Sequence, residues 1–318
     1  MQRKRQNTIL FTAFCLFLAL FVHSQYNGSV DFQTAISLFN EYGKNKTLVS
    51  NLDSSKIYMD RSFLDENISR TAINNYYYAE LHKEIYKVRE KGDINSQNRK
   101  IAIDKFMICL NLDTSKKNRD MVNNKLKWIA AQFYNEAKEV LEKNSDVELA
   151  RRGFKEYKKI YATADPLIDM KVKEIEFELA CGSMLQEKAD KTGRKDYSDL
   201  AKVSYFKVLD IDSSNYDANY NIGIIYYNAG ANLIMKVLDY DTPLDSITII
   251  EDMAKKLFIQ AKPFMHKANL GKPNCLKIME GLMGIYYSLN EEDTFKKYKE
   301  LFEKLKSDIE SGIIKEEC

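Results

Sequence analysis

The chain has 318 residues, with 48 Lys+Arg against 46 Asp+Glu and a formal charge of +2. So even a balance argues against binding of nucleic acid as the main task, because holding a phosphate backbone needs a net basic face. Only 12 Gly and 4 Pro occur, and no run of short alternating strands is present, so the expected fold is all-α.

Residues 1–24 read as a secretory signal peptide. Arg3, Lys4 and Arg5 precede an apolar run from Ile9 to Val22, and Val22-His23-Ser24 suits a cut before Gln25. The run falls short of the ~18–20 residues that span a bilayer. No second such run follows, so no membrane span is expected once the signal is removed. Its removal takes three bases and no acid, which leaves the remainder near neutral. Residues 25–70 form the expected N-terminal capping segment. In it Phe32, Ala35, Ile36 and Phe39 suggest one short helix ending near Gly43, and Asn51 to Asp65 has no clean period.

From Thr71 the helical period holds. Five helical pairs are drawn at 71–115, 119–164, 167–214, 216–272 and 274–308. Asp165-Pro166 and Thr242-Pro243 each read as an N-cap with Pro at the first helical position. Lys272-Pro273-Asn274 opens the last pair and Asn290 to Asp293 is its polar turn. Pro263 is expected to start or kink a helix. Residues 309–318 read as a flexible tail.

One block sets the register. Ala201, Tyr205, Val208 and Leu209 share a helical face. Asp212 to Asn215 breaks the period, and Ile222, Gly223, Tyr226 and Tyr227 restart it. The same register recurs at Ala102, Phe106 and Cys109, and at Ala150, Phe154, Tyr157 and Ile160. A further copy is Ala261, Ala268 and Pro273, with its aromatic displaced to Phe264. Ile129-Ala130 with Phe133-Tyr134, and Leu282-Met283 with Tyr286-Tyr287, repeat the restart. This pattern resembles the tetratricopeptide repeat over residues 71–308. The anchor alanines at 102, 150, 201 and 261 lie further apart than the ~34 residues of that repeat, so longer helices or inserted loops are expected. The usual Trp position is unfilled, Trp128 lies elsewhere in its helix, and Ile175 to Lys188 fits poorly.

The resemblance implies a right-handed solenoid of hairpins with elongated helices, whose first helices line a concave face that binds a protein or peptide. Carried over by spacing, the face-lining candidates are Asn124, Lys127, Tyr134 and Asn135 in the second unit. In the fourth they are Asp217, Tyr220, Ile224, Tyr227 and Asn228, and in the last Lys277, Glu280, Tyr287 and Ser288. They are mixed polar and aromatic, as binding surfaces tend to be, and lack the Lys/Arg-rich clamp suited to a carboxylate-terminal peptide. In each tandem aromatic pair one ring should enter the core and the next turn about 100° away.

Catalytic motifs are missing. No HExxH, CxxC, GxxxxGK, GxGxxG or GxSxG occurs, and only His82 and His266 remain past the signal. Each reads as a packing or surface histidine. No cofactor and no metal are expected, and the chain is not expected to be an enzyme. Cys109, Cys181, Cys275 and Cys318 allow three full pairings. Buried thiols acting as small hydrophobes are favoured over a bridge, with intermolecular pairing through Cys318, and hence self-association, left open. The function expected is an exported, periplasmic scaffold for a protein partner. The alternative is a solenoid of the envelope that binds glycans or another small ligand.

Overall fold

A computed structural model describes residues 28–144, 146–237 and 243–318. The expected signal peptide, its cut site and Thr242 lie outside them. The described residues form thirteen α-helices and no strand. They are α1 (Gly28–Lys44), α2 (Ser50–Ser62), α3 (Glu66–Ser69), α4 (Ala72–Ile85), α5 (Gln97–Leu112), α6 (Arg119–Asn144) and α7 (Val147–Ala164). Then come α8 (Lys171–Thr192), α9 (Lys195–Ile211), α10 (Tyr216–Asn232), α11 (Leu244–Gly271), α12 (Leu276–Ser288) and α13 (Glu292–Glu310). Helices α4 and α10 run on into π-helical turns at Tyr86–Glu90 and Leu233–Val237. The chain divides into two compact units, Met1–Glu139 with Glu148–Ile168, and Val140–Val147 with Asp169–Cys318.

Adjacent helices pack in pairs, α1 with α2, α4 with α5, α8 with α9, α10 with α11 and α12 with α13. In the C-terminal unit the register is antiparallel. Gly223 and Gly230 of α10 meet Met265 and Phe258 of α11, while Gly182 of α8 meets Tyr205 of α9. Each site is a close approach. A Cβ on Gly182 would lie 2.6 Å from the Tyr205 ring, and one on Gly223 would lie 2.6 Å from the Met265 sulfur. Glycine there lets one helix sink onto a large side chain of the next. The inward rows of the second helices are those the register predicts. Ala102, Phe106 and Cys109 are buried, as are Ala150, Phe154, Tyr157 and Ile160, and Ala201, Tyr205 and Val208.

Several expectations are corrected. In α11 the residue filling the aromatic's slot is Met265, fully buried one turn after Ala261 and one before Ala268. Phe264 instead faces sideways, with its ring 6.1 Å from Tyr226 and 5.8 Å from Phe206. The poorly fitting first helix of the third pair does carry the glycine seat, as Cys181-Gly182. Asp165-Pro166 does not open a helix. Asp165 is held by Lys127 at 2.7 Å, residues 165–168 close a turn through Ile168 N–H to the Asp165 carbonyl, and α8 starts only at Lys171. Helix α11 runs through Pro263 instead of starting there. Its Ile259 carbonyl loses a helical donor, and Ile259 is itself exposed. Between α8 and α9 the extra length is helix: Gly193, at φ 69°, caps α8 and α9 begins two residues later.

The segment 28–62 is itself a helix pair. Ala35, Tyr42, Leu52 and Met59 bury against Leu81 and Ile85 of α4. The α2 face is hard to see because two of its buried residues are serines. Ser55 donates to the Ala35 carbonyl at 2.8 Å and Ser62 to the Met59 carbonyl at 2.8 Å. Each hydroxyl is therefore satisfied without a hydrophobic signal.

Residues 309–318, expected as a loose tail, fold back. Cys275 and Cys318 form a disulfide with Cα atoms 5.3 Å apart. The Glu317 N–H donates to the Asn274 carbonyl, and the Asn274 N–H donates to the Glu317 carboxylate at 2.8 Å. The preference for thiols over a bridge is thus overturned for this pair. Cys109 and Cys181 are buried thiols, and burial pushes the Cys109 thiol up to about 11.

Candidate functional site

The candidates divide between the units. Asn124, Lys127, Tyr134 and Asn135 lie on α6, and the other nine lie on α10 and α12. On α10, Tyr220, Ile224 and Tyr227 follow one another at helical spacing and are half-buried against the core that holds Leu282 and Met265. Gly284 of α12 makes this possible, since a Cβ there would lie 2.5 Å from the Tyr227 hydroxyl. The Tyr227 ring also meets Phe258 of α11 at 5.6 Å. Tyr220 stacks on Tyr216 at 6.0 Å, and Lys272 sits 3.8 Å over the Tyr216 ring. Burial, then the charge of Glu280, raises the pKa of both Tyr220 and Tyr227. So Tyr220, Ile224, Tyr227 and Glu280 come together, with the three α10 side chains forming the seam between α10 and α12.

What this seam leaves uncovered is its rim. Asp217, Asn228, Lys277, Glu280 and Tyr287 are exposed and Ser288 is half-buried. Tyr287 is 70% exposed, while its neighbour Tyr286 is buried and bonded to His266 through its hydroxyl at 2.5 Å. Phe133 and Tyr134 split the same way, into buried and half-buried. Tyr226 and Tyr227 do not split, as both are half-buried.

On α6 the picture differs. Asn124 and Asn135 are exposed. Tyr134 packs 5.1 Å from Tyr157 and 6.1 Å from Phe154 of α7, so it belongs to the hairpin interior. Lys127 is tied to Asp165 and lies 5.6 Å from the Tyr161 ring. Its pKa is raised, first by the hydrogen bond to Asp165.

Sequence reading missed a charged cluster on the neighbouring face of α4. Glu80 takes Lys83 and Lys125, each at 3.0 Å. Glu84 takes Lys83 at 3.3 Å, Lys46 at 3.7 Å and Lys87 at 4.0 Å. Burial works to lower the Lys125 pKa, but the hydrogen bond and charge of Glu80 overcome it and leave it raised. The two i, i+3 spacings, Glu80–Lys83 and Glu84–Lys87, were legible. The lysines arriving from the turn after α1 and from α6 were not.

Both histidines are packing groups. His82 is fully buried, stacked on Tyr78, with Nδ1 2.6 Å from the Asn98 side-chain oxygen. Burial lowers its pKa, and that of His266. Among the described residues no group of three or more His, Cys, Asp and Glu is placed to hold a metal ion, and no helix is long and apolar enough to cross a membrane. No protein-family model matches the chain, and no curated protein matches it.

Proposed function

We propose that the chain is an exported, non-enzymatic scaffold of tetratricopeptide-like hairpins that binds a protein partner on the face of its first helices. One observation carries the reading. The same small-residue seat recurs from pair to pair, with Gly182 under Tyr205 and Gly223 under Met265, while the first helix of the last pair keeps Lys277, Glu280 and Tyr287 uncovered. A repeated packing unit with an uncovered first-helix surface is what an array built to hold a partner needs. The Cys275–Cys318 bond supports export, because such bonds persist in oxidising compartments and are rare in a reducing cytosol. The rim residues, not the seam tyrosines, are the binding candidates in this reading.

The test is affinity capture from the envelope fraction with the mature chain and its Tyr287→Ala/Lys277→Glu variant, read by mass spectrometry. A partner retained by the parent and lost by a variant of unchanged melting temperature is the expected result. Equal recovery by both would remove the rim assignment. Stabilisation by a glycan but by no protein partner, in a thermal-shift series, would replace the scaffold reading with a glycan-binding one.

A further inference from the structure

The lysine cluster of the N-terminal unit is not balanced. Four lysines, Lys46, Lys83, Lys87 and Lys125, converge on two carboxylates, Glu80 and Glu84. The pairs Lys127–Asp165 and Arg89–Asp53, by contrast, are one to one. Three ammonium groups share Glu84, and one carboxylate cannot neutralise three. The Glu84 Oε2 atom is buried and accepts no hydrogen bond. Lys46 at 3.7 Å and Lys87 at 4.0 Å reach it without a hydrogen bond and are 59% and 52% exposed. Lys87 lies in the π-helical turn that ends α4, a distortion often found at functional sites. Aromatic rings flank the cluster, with Tyr42 4.1 Å from the Lys46 ammonium and Trp128 5.7 Å from that of Lys83.

We infer that this face takes an acidic peptide segment, one of whose carboxylates seats between Lys46 and Lys87. The inference rests on the proposed use of first-helix faces and names the chemistry of the partner. A peptide is favoured over a nucleic acid on charge. Glu80 and Glu84 interrupt the basic patch and would repel a continuous run of phosphates, while a spaced set of carboxylates can avoid them. The lysine stems are long enough to turn from Glu84 to an incoming carboxylate, and the local excess of positive charge falls when they do.

Trp128 is the only tryptophan in the chain and sits beside Lys83, so its emission reports on the cluster. The experiment titrates the mature chain with a synthetic peptide of alternating Glu and Ala, and with its Gln-for-Glu twin. The acidic peptide is expected to give a saturable change in Trp128 emission that weakens as salt rises, and the twin none. Lys46→Gln/Lys87→Gln, both exposed, removes the two charges without setting new carboxylates beside Glu84 and should weaken binding by ~10-fold or more while the helical signal stays that of the parent. No response, equal response to the twin, or unchanged affinity in the double variant would overturn the inference. So would equal competition by a single-stranded oligonucleotide. If the peptide fails while partner capture still depends on Tyr287, only the acidic preference falls; if both fail, the binding-face reading falls too.

Discussion

Gly182 shows how much can hang on one hydrogen atom. Its missing Cβ is where the fully buried Tyr205 ring lies, and a rigid ring cannot step aside as a chain end can. Gly182→Ala should therefore destabilise by about 1–2 kcal/mol, the overpacking cost exceeding the helix-propensity gain. Gly43 of α1 has nothing within 4 Å of its Cβ position, so Gly43→Ala should be neutral or stabilising. Thermal melts of the two variants check both. The same logic separates two tyrosines. Tyr227→Ala removes a ring packed on Gly284 and Phe258 and should cost on the order of 2–3 kcal/mol of stability, whereas Tyr287→Ala should leave the melting temperature within a degree or so. At this scale the sequence was partly readable. The alanine rows and the Tyr286-Tyr287 split follow from helical period. Met265 was hidden because a methionine can fill an aromatic's slot, and Ser55 and Ser62 hid α2 because hydroxyls bonded to carbonyls bury without looking apolar. Histidine adds a pH dependence. His82 and His266 have pKa values lowered by burial from the ordinary 6.5, so the unfolded chain binds protons that the folded chain refuses. Their contribution is complete above about pH 6.5 and is lost as pH falls from there towards the folded values. The melting temperature should drop between pH 7.5 and 5.5, and drop less in His82→Gln.

At the scale of elements, the last hairpin is the best place to see what the C-terminus does. Helix α13 buries only Leu305 fully, which is little apolar surface to hold a terminal helix. The Cys275–Cys318 bond closes a loop across the whole α12–α13 pair, with a sequence separation of 43. Loop-closure entropy makes such a bond worth roughly 2–4 kcal/mol. Cys318→Ser should lower the melting temperature, and reductant should lower the parent to the same value; no change in either would mean the bond does not form in solution. Element boundaries were legible where turns are polar and short, as at Asp212–Asn215; the turn expected over Asn290–Asp293 is shorter, since Glu292 and Asp293 already belong to α13. They were misread at Asp165-Pro166, where the aspartate answers Lys127, a residue 38 positions away, instead of capping a helix. The tail could not be read locally at all, because its partner is at Cys275.

At the scale of the molecule, two compact units built from helix pairs agree with a chain whose charge is spread evenly and whose Gly182, Gly223, Gly230 and Gly284 sit at packing contacts. The candidate rim was half legible. Spacing found Asp217, Asn228, Lys277, Glu280 and Tyr287, which are exposed, but also Tyr134 and Tyr227, which pack. The lysine cluster of α4 was legible only in its Glu80–Lys83 and Glu84–Lys87 spacings, since Lys46 and Lys125 reach it by tertiary packing. The claim that binds these observations is that a protein partner sits on first helices and not on second ones. A photo-crosslinking amino acid placed at the exposed Tyr287 of α12, or at the exposed Glu300 of α13, tests it in the cells that make the chain. A discrete crosslinked protein from position 287 and none from position 300 is the predicted result. A partner caught from position 300 alone, or from neither, would contradict the account.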